Sequence, residues 1–182
     1  MQRLLDNMFT AMFPHSKRAI VVLISLVVGP LISCTAQSTV ASLQLRFPAH
    51  AADLKEIRLL AWELEVSGRP YSILAPAAWG KEELVSFFDK DGEKVTLTSA
   101  LTTHFNGKEI QARRLTELLR KVGIEILTVD RAKGIVWVVT YGGGALASDQ
   151  GYVFVSDGDV GRLHLDYSLP IPSETQWYAF VG

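Results

Sequence analysis

The chain has 182 residues, a formal net charge of −1 and a single cysteine. This length suits one domain with an additional N-terminal segment. The near-neutral charge argues against a nucleic-acid-binding protein, and the single cysteine excludes an intramolecular disulfide or a cysteine-based metal site.

The first recognisable element is an uncharged apolar run from Ala19 to Ser33, directly after Lys17 and Arg18. A basic flank, an apolar run of about 7–15 residues and then small residues form the layout of an export signal. The run is shorter than the ~20 residues of a membrane-spanning helix, and Gly29 and Pro30 disfavour helical continuity near its end. An export signal is therefore favoured, with an uncleaved anchor as the alternative.

The end of this run, Leu31-Ile32-Ser33-Cys34, resembles the lipobox of bacterial lipoproteins: an aliphatic residue, a tolerant position, a small residue and a cysteine. The resemblance implies that the cysteine thiol receives a diacylglycerol and that cleavage makes Cys34 the first residue of the mature protein. Thr35 follows it, and because this residue is not aspartate, the resemblance implies an outer-membrane protein facing the periplasm of a Gram-negative cell. Among three possible start codons, Met12 gives a compact basic lead, with Met1 and Met8 as alternatives.

We therefore predict three parts: a signal segment over 1–33, a lipidated Cys34 with a short tether to residue 45, and one globular domain over 46–182. The polar part of this tether, Thr35 to Ser42, spans only ~15 Å as a flexible chain. The first 34 residues hold Arg3, Lys17 and Arg18 against Asp6, which leaves 15 basic and 18 acidic residues and a net charge of −3.

After the tether, two patterns overlap. Leu54, Ile57, Ala61 and Leu64 have helical spacing. In contrast, Trp62, Leu64 and Val66 alternate with polar residues as in a strand. We predict a short helix or irregular lead-in followed by a strand through Val66.

Most of the remaining chain reads as strands and hairpins. The predicted set is a strand at 71–74, a hairpin over 83–98 (with a helix over 81–88 as the alternative), a hairpin around 130–134, and strands at 152–155, 162–167 and 177–181.

The clearest helix is predicted from about 107 to 122. Asn106 is its predicted N-cap, Glu109 completes a box-like start, and Gly123 suits a left-handed C-cap. Its predicted apolar stripe consists of Ile110, Leu115, Leu118, Leu119 and Val122. The predicted fold class is α+β: an antiparallel sheet built largely from hairpins, with one main amphipathic helix packed on it.

Candidate chemistry is sparse. His164 and Asp166 would share one face of the predicted strand, about 7 Å apart, as a proton-transfer unit or half a metal site. The sequence offers neither a nucleophile nor a third ligand beside them, so an exposed polar face is the preferred interpretation. Gly142–Gly144 lacks the lysine and hydroxyl of a phosphate loop. The acidic turns at Asp89–Glu93 and Asp157–Asp159 are too short for a calcium loop.

The densest basic region supplies the predicted interaction surface, represented by Arg113, Arg114, Arg131 and Lys133. Solvated helix and turn residues are the alternative reading of this region. We predict a non-enzymatic binding or accessory lipoprotein, attached to the membrane through Cys34 and contacting an envelope protein, with no metal, cofactor or nucleic acid. The alternatives are a periplasmic enzyme and an immunity protein against a toxin acting in the periplasm.

Overall fold

The structure is a computed structural model of the whole chain. It describes the backbone of 17–64, 69–75, 84–87, 93–105, 107–141 and 148–182, and within these the side chains from 36 onwards except those at 84, 87 and 141. The predicted start codons, the Cys34 side chain, the Asn106 cap, the Asp89–Gly92 turn and Gly142–Gly144 lie outside the described residues.

The described part of the chain forms three α-helices, one 3-10 helix and eight strands. In chain order these are α1 Lys17–Glu63, β1 Tyr71–Leu74, β2 Leu84–Phe87, β3 Lys94–Thr96, α2 Leu97–Thr103, α3 Glu109–Val122, β4 Ile126–Asp130, β5 Ile135–Tyr141, β6 Gln150–Val155, the 3-10 helix Val160–Leu163, β7 Tyr167–Ile171 and β8 Glu174–Val181.

The chain divides into two compact units, Met1–Ser38 and Thr39–Gly182. In the first unit the described backbone belongs to α1, which continues through Gly29 and Pro30. The second unit begins at Thr39 rather than at residue 46, where the globular domain was predicted to begin. Val40 and Leu43, which were assigned to the tether, are helical and buried.

The second unit is built on one eight-stranded sheet of order β3-β2-β1-β4-β5-β6-β8-β7, in which every neighbouring pair is antiparallel. The predicted hairpins β2–β3 and β4–β5 are confirmed, because strand-forming runs flank short polar connections. The α+β class with an antiparallel sheet is therefore confirmed.

The part of α1 from Thr39 onwards covers one face of this sheet, and two buried tyrosines hold it there. The Tyr71 hydroxyl donates to the Ala61 carbonyl over 2.7 Å, and the Tyr152 hydroxyl donates to the Leu43 carbonyl over 2.9 Å. These two carbonyls are about 27 Å apart along the helix at 1.5 Å per residue. Between them the Phe47 ring packs edge-on against Tyr152, with centroids 5.4 Å apart.

The strand predicted to end at Val66 is wrong over its described part, because α1 continues to Glu63 and a turn follows at Leu64. The residues at helical spacing are all fully buried: Leu54, Ile57, Ala61 and Leu64. Trp62 lies in the last turn of α1, and its ring meets Phe154 edge-on at 6.1 Å. Burial of the helical stripe against the sheet therefore prevails over the short alternating pattern.

Helix α3 confirms the predicted main helix, with a different start. Its N-cap is Lys108, which makes no side-chain capping bond, and the Glu109 carboxylate accepts the Gly107 N–H at 3.1 Å. Gly123 adopts φ 77° at the C-cap, as its position predicted.

The buried stripe of α3 differs from the prediction at one position. Ile110 is 83 % exposed and does not belong to it. The buried residues are Ala112, Leu115, Thr116, Leu118 and Leu119.

The strand predicted for 162–167 is wrong. Val160–Leu163 forms a 3-10 helix whose N-cap, Asp159, accepts the Gly161 N–H, and His164 then adopts φ 50° before β7 begins at Tyr167. Leu163 and Leu165 still turn inward and pack against the buried Phe180 cluster. The alternation of apolar residues that is typical of a strand therefore occurs here in a turn segment that folds over the sheet.

Candidate functional site

The face of the sheet opposite α1 carries the candidate site. The strand pairing places Lys94, Ser86, Ser72, Thr128 and Trp137 in one row across β3, β2, β1, β4 and β5. Neighbouring strands are about 4.8 Å apart, so the row spans about 19 Å. Because successive side chains alternate between faces, this row lies opposite the tyrosines that contact α1.

The turn segment after β6 forms a wall along this face. Leu163, His164 and Leu165 stand beside two adjoining cavities of about 580 and 630 Å³. The two cavities share Thr128, Trp137 and Leu163 in their linings. We call this continuous depression the open-face groove, and each part has the size of a small-ligand site.

The floor of the groove contains hydroxyls where a sheet core would hold aliphatic side chains. Ser72 and Ser86 are 2 % and 8 % exposed, and the Ser72 and Thr128 hydroxyl oxygens are 2.6 Å apart, in hydrogen-bonding contact. Burying a hydroxyl is costly unless it is hydrogen-bonded. Each hydroxyl has one donor and two acceptor positions, so a pair joined by one bond keeps capacity for a ligand.

Trp137 is the aromatic surface of the groove. It is half-buried, and its ring meets Phe180 nearly perpendicularly, at 82° with centroids 5.0 Å apart. This contact joins Trp137 to the buried cluster around Phe180 and fixes its orientation. The groove therefore presents a pre-positioned aromatic side chain next to a hydroxyl pair.

The charged groups at one end of the groove are paired with one another. The Lys133 ammonium lies 3.1 Å from the Asp130 carboxylate. Arg162 bonds to the Asp157 carboxylate at 3.0 Å and donates to the Lys133 carbonyl at 2.7 Å. These contacts leave the end of the groove with little net charge.

The other end of the groove is lined by Lys94, Asp149 and His164. These side chains also combine an acid with a base. His164 is exposed and stands at the rim because its left-handed backbone turns the chain there.

The structure separates the two residues of the predicted proton-transfer pair. His164 lines the groove, whereas Asp166 is exposed in the bend before β7. Within the described residues no hydrogen bond or ion pair joins them. The shared strand face on which the pairing depended is absent.

The predicted basic surface divides between two elements. Arg113 and Arg114 are exposed on α3, and Arg114 makes a two-pronged contact to the Glu56 carboxylate of α1 at 2.8 and 3.1 Å. This hydrogen bond to Arg114 holds the pKa of Glu56 below its usual value. The Lys121 ammonium lies 2.8 Å from the Asp53 carboxylate of α1.

The other two basic residues lie in the turn between β4 and β5. The Arg131 guanidinium stands 5.9 Å from the centre of the Trp62 ring, and Lys133 pairs with Asp130. Three of the four predicted residues thus have partners within the chain, and Lys133 alone lines the groove.

Sequence reasoning missed the central groove residues Ser72, Thr128 and Trp137. One signal was present in the sequence: Thr128 and Trp137 each stand between two aliphatic residues of their strands, so each lies on the face opposite its neighbours. Their meeting across the β4–β5 hairpin follows from the register, which the turn length sets.

Two further observations concern only the residues that the structure describes. Among them, no group of three histidine, cysteine or acidic residues is arranged to hold a metal ion. No described helix combines the length and the apolar character that crossing a membrane requires.

Comparison with protein-family models, with curated proteins and with solved structures finds no match to this chain.

Proposed function

We propose that this chain is a cell-envelope lipoprotein that binds an envelope component in the open-face groove. The single observation that supports the binding role is the groove itself: a half-buried Trp137 beside the Ser72–Thr128 hydroxyl pair, under a wall of turn residues. A concave, largely apolar site with a few converging polar groups is the usual form of a ligand site.

The anchor in this proposal is Cys34. Its support is the sequence Leu31-Ile32-Ser33-Cys34 at the end of an uncharged run with a basic flank. Removal of residues 1–33 and lipidation of the thiol would hold the domain on the periplasmic side of the outer membrane.

Binding is preferred to catalysis because of how the groove residues are partnered. An enzyme that uses a serine, threonine or cysteine nucleophile needs that hydroxyl or thiol within hydrogen-bond reach of a base. Here the Ser72 and Thr128 hydroxyls bond to each other, and the acids and bases at one end form ion pairs. Among the described residues that line the groove His164 is the only histidine, so a cellular phenotype that is lost in folded His164→Ala would favour an enzyme instead.

The binding role is tested by photo-crosslinking in cells. A benzophenone amino acid replaces Lys94 at the rim of the groove, and in a matched control it replaces Leu45, which is 82 % exposed on α1. We expect a discrete adduct from the position of Lys94 only, lost in Trp137→Ala and weakened in Cys34→Ser. Equal adducts from both positions, or none from the groove, would contradict a ligand site there.

A further inference from the structure

We propose that the ligand of the open-face groove is a carbohydrate: an uncharged, hydroxyl-rich oligosaccharide that stacks on Trp137. This inference rests on the proposed binding function and adds the chemical class of the ligand. Three properties of the groove support it: its charge balance, its hydroxyl floor and its fixed aromatic ring.

The charge balance argues against an ionic ligand. Lys133 is neutralised by Asp130 and Arg162 by Asp157, and at the other end the lining sets Asp149 against Lys94 and His164. A site for a phosphate or carboxylate keeps its cations available for charge-assisted bonds. Paired side chains instead offer both donors and acceptors without net charge, which complements a ligand that carries hydroxyl groups.

The hydroxyl floor argues against a purely apolar ligand. Ser72, Thr128 and Ser86 lie side by side on three adjacent strands, and an acyl chain laid over them would remove water from them without replacing its hydrogen bonds. A sugar ring presents adjacent hydroxyls, and each of these both donates and accepts, as the serine and threonine hydroxyls do.

Trp137 provides the third property of the groove, a fixed aromatic ring. A sugar ring has an apolar C–H face and a polar rim, and a tryptophan ring that is held in place offers a flat apolar surface for that face. The edge contact with Phe180 fixes this ring before binding, so little side-chain entropy is lost when a ligand stacks on it.

The test is a binding titration of the full-length chain in a polyoxyethylene detergent, which has no sugar headgroup to compete. The probes are chitotetraose, cellotetraose, maltotetraose and, as an apolar anion, dodecanoate. Calorimetry and tryptophan fluorescence should show saturable binding of at least one oligosaccharide and none of dodecanoate. Trp137→Ala should weaken it at least about tenfold, as expected for loss of an aromatic contact and its buried area.

Two further variants guard against a folding artefact, with far-UV circular dichroism as the check. Thr128→Val removes one groove hydroxyl at constant shape and should also weaken sugar binding. Trp62→Phe alters a tryptophan on the opposite face, near Phe154, and should leave it unchanged. Unaltered affinity in folded Thr128→Val and Trp137→Ala, or binding of dodecanoate alone, would overturn the carbohydrate assignment.

Failure of this inference is distinguishable from failure of the binding function. A groove adduct formed in cells at Lys94 that contains peptide or lipid and no sugar would refute the carbohydrate class while the binding role stands. Absence of any groove adduct would remove both.

Discussion

The two tyrosines that hold α1 on the sheet give a quantitative test of the fold. Tyr71→Phe and Tyr152→Phe each delete one buried hydroxyl while leaving the ring in place. Losing one neutral hydrogen bond costs about 1 kcal/mol of unfolding free energy. The Leu43 carbonyl lies inside α1 and keeps its backbone bond, so no orphaned acceptor adds to the cost of Tyr152→Phe. Ala61 lies in the last turn of α1, where the carbonyls lack a partner within the helix, so Tyr71→Phe should cost at least as much.

The two sites are far enough apart for their effects to add. The two hydrogen bonds lie about 27 Å apart along the helix, so the losses of unfolding free energy should add to about 2 kcal/mol in the double variant. Urea unfolding of the full-length chain, followed by circular dichroism, measures each value. Tyr167→Phe is the matched control, because no described residue hydrogen-bonds its half-buried hydroxyl. Unchanged stability in Tyr71→Phe and Tyr152→Phe would refute the docking of α1 through these bonds.

Three further predictions concern pH, the core and the helix pair. Burial raises the pKa of Tyr152 to about 12. The folded state then holds this proton more tightly than the unfolded state, so the free energy of unfolding should fall by about 3 kcal/mol between about pH 10 and 12. Tyr152→Phe should flatten this pH dependence in alkaline urea titrations. Leu118→Ala should cost about 2–5 kcal/mol in urea unfolding because Leu118 is fully buried, whereas Ile110→Ala, at an exposed position of the same helix, should change stability little. Arg114→Glu should lower the melting temperature through repulsion with Glu56, and adding Glu56→Arg should restore most of it; no restoration would show that this ion pair does not join α1 to α3.

Local sequence signals predicted the elements whose structure is determined locally. The β4–β5 hairpin and α3 were predicted because β-branched runs, a short polar turn and a glycine C-cap act within a few residues. Helix α1 was partly misread, because its length depends on burial against a sheet formed much later in the chain. The turn at His164 was misread because Leu163 and Leu165 alternate like strand residues.

The groove could not be predicted for a related reason. Ser72 and Thr128 are 56 residues apart, and their contact depends on the pairing of β1 with β4. The sequence shows that these residues are polar and lie in strands. Only the sheet order shows that they lie side by side next to Trp137, on the face opposite α1.

Detection of lipid on Cys34 is the most direct test of the proposed envelope function. Cells producing the wild-type chain or Cys34→Ser are labelled with an alkyne analogue of palmitate, and the membrane-bound protein is analysed by intact mass. We predict a labelled species that begins at Cys34 and carries a diacylglycerol, and no label in Cys34→Ser. Equal labelling of both proteins, or an unprocessed wild-type chain without lipid, would contradict the proposal.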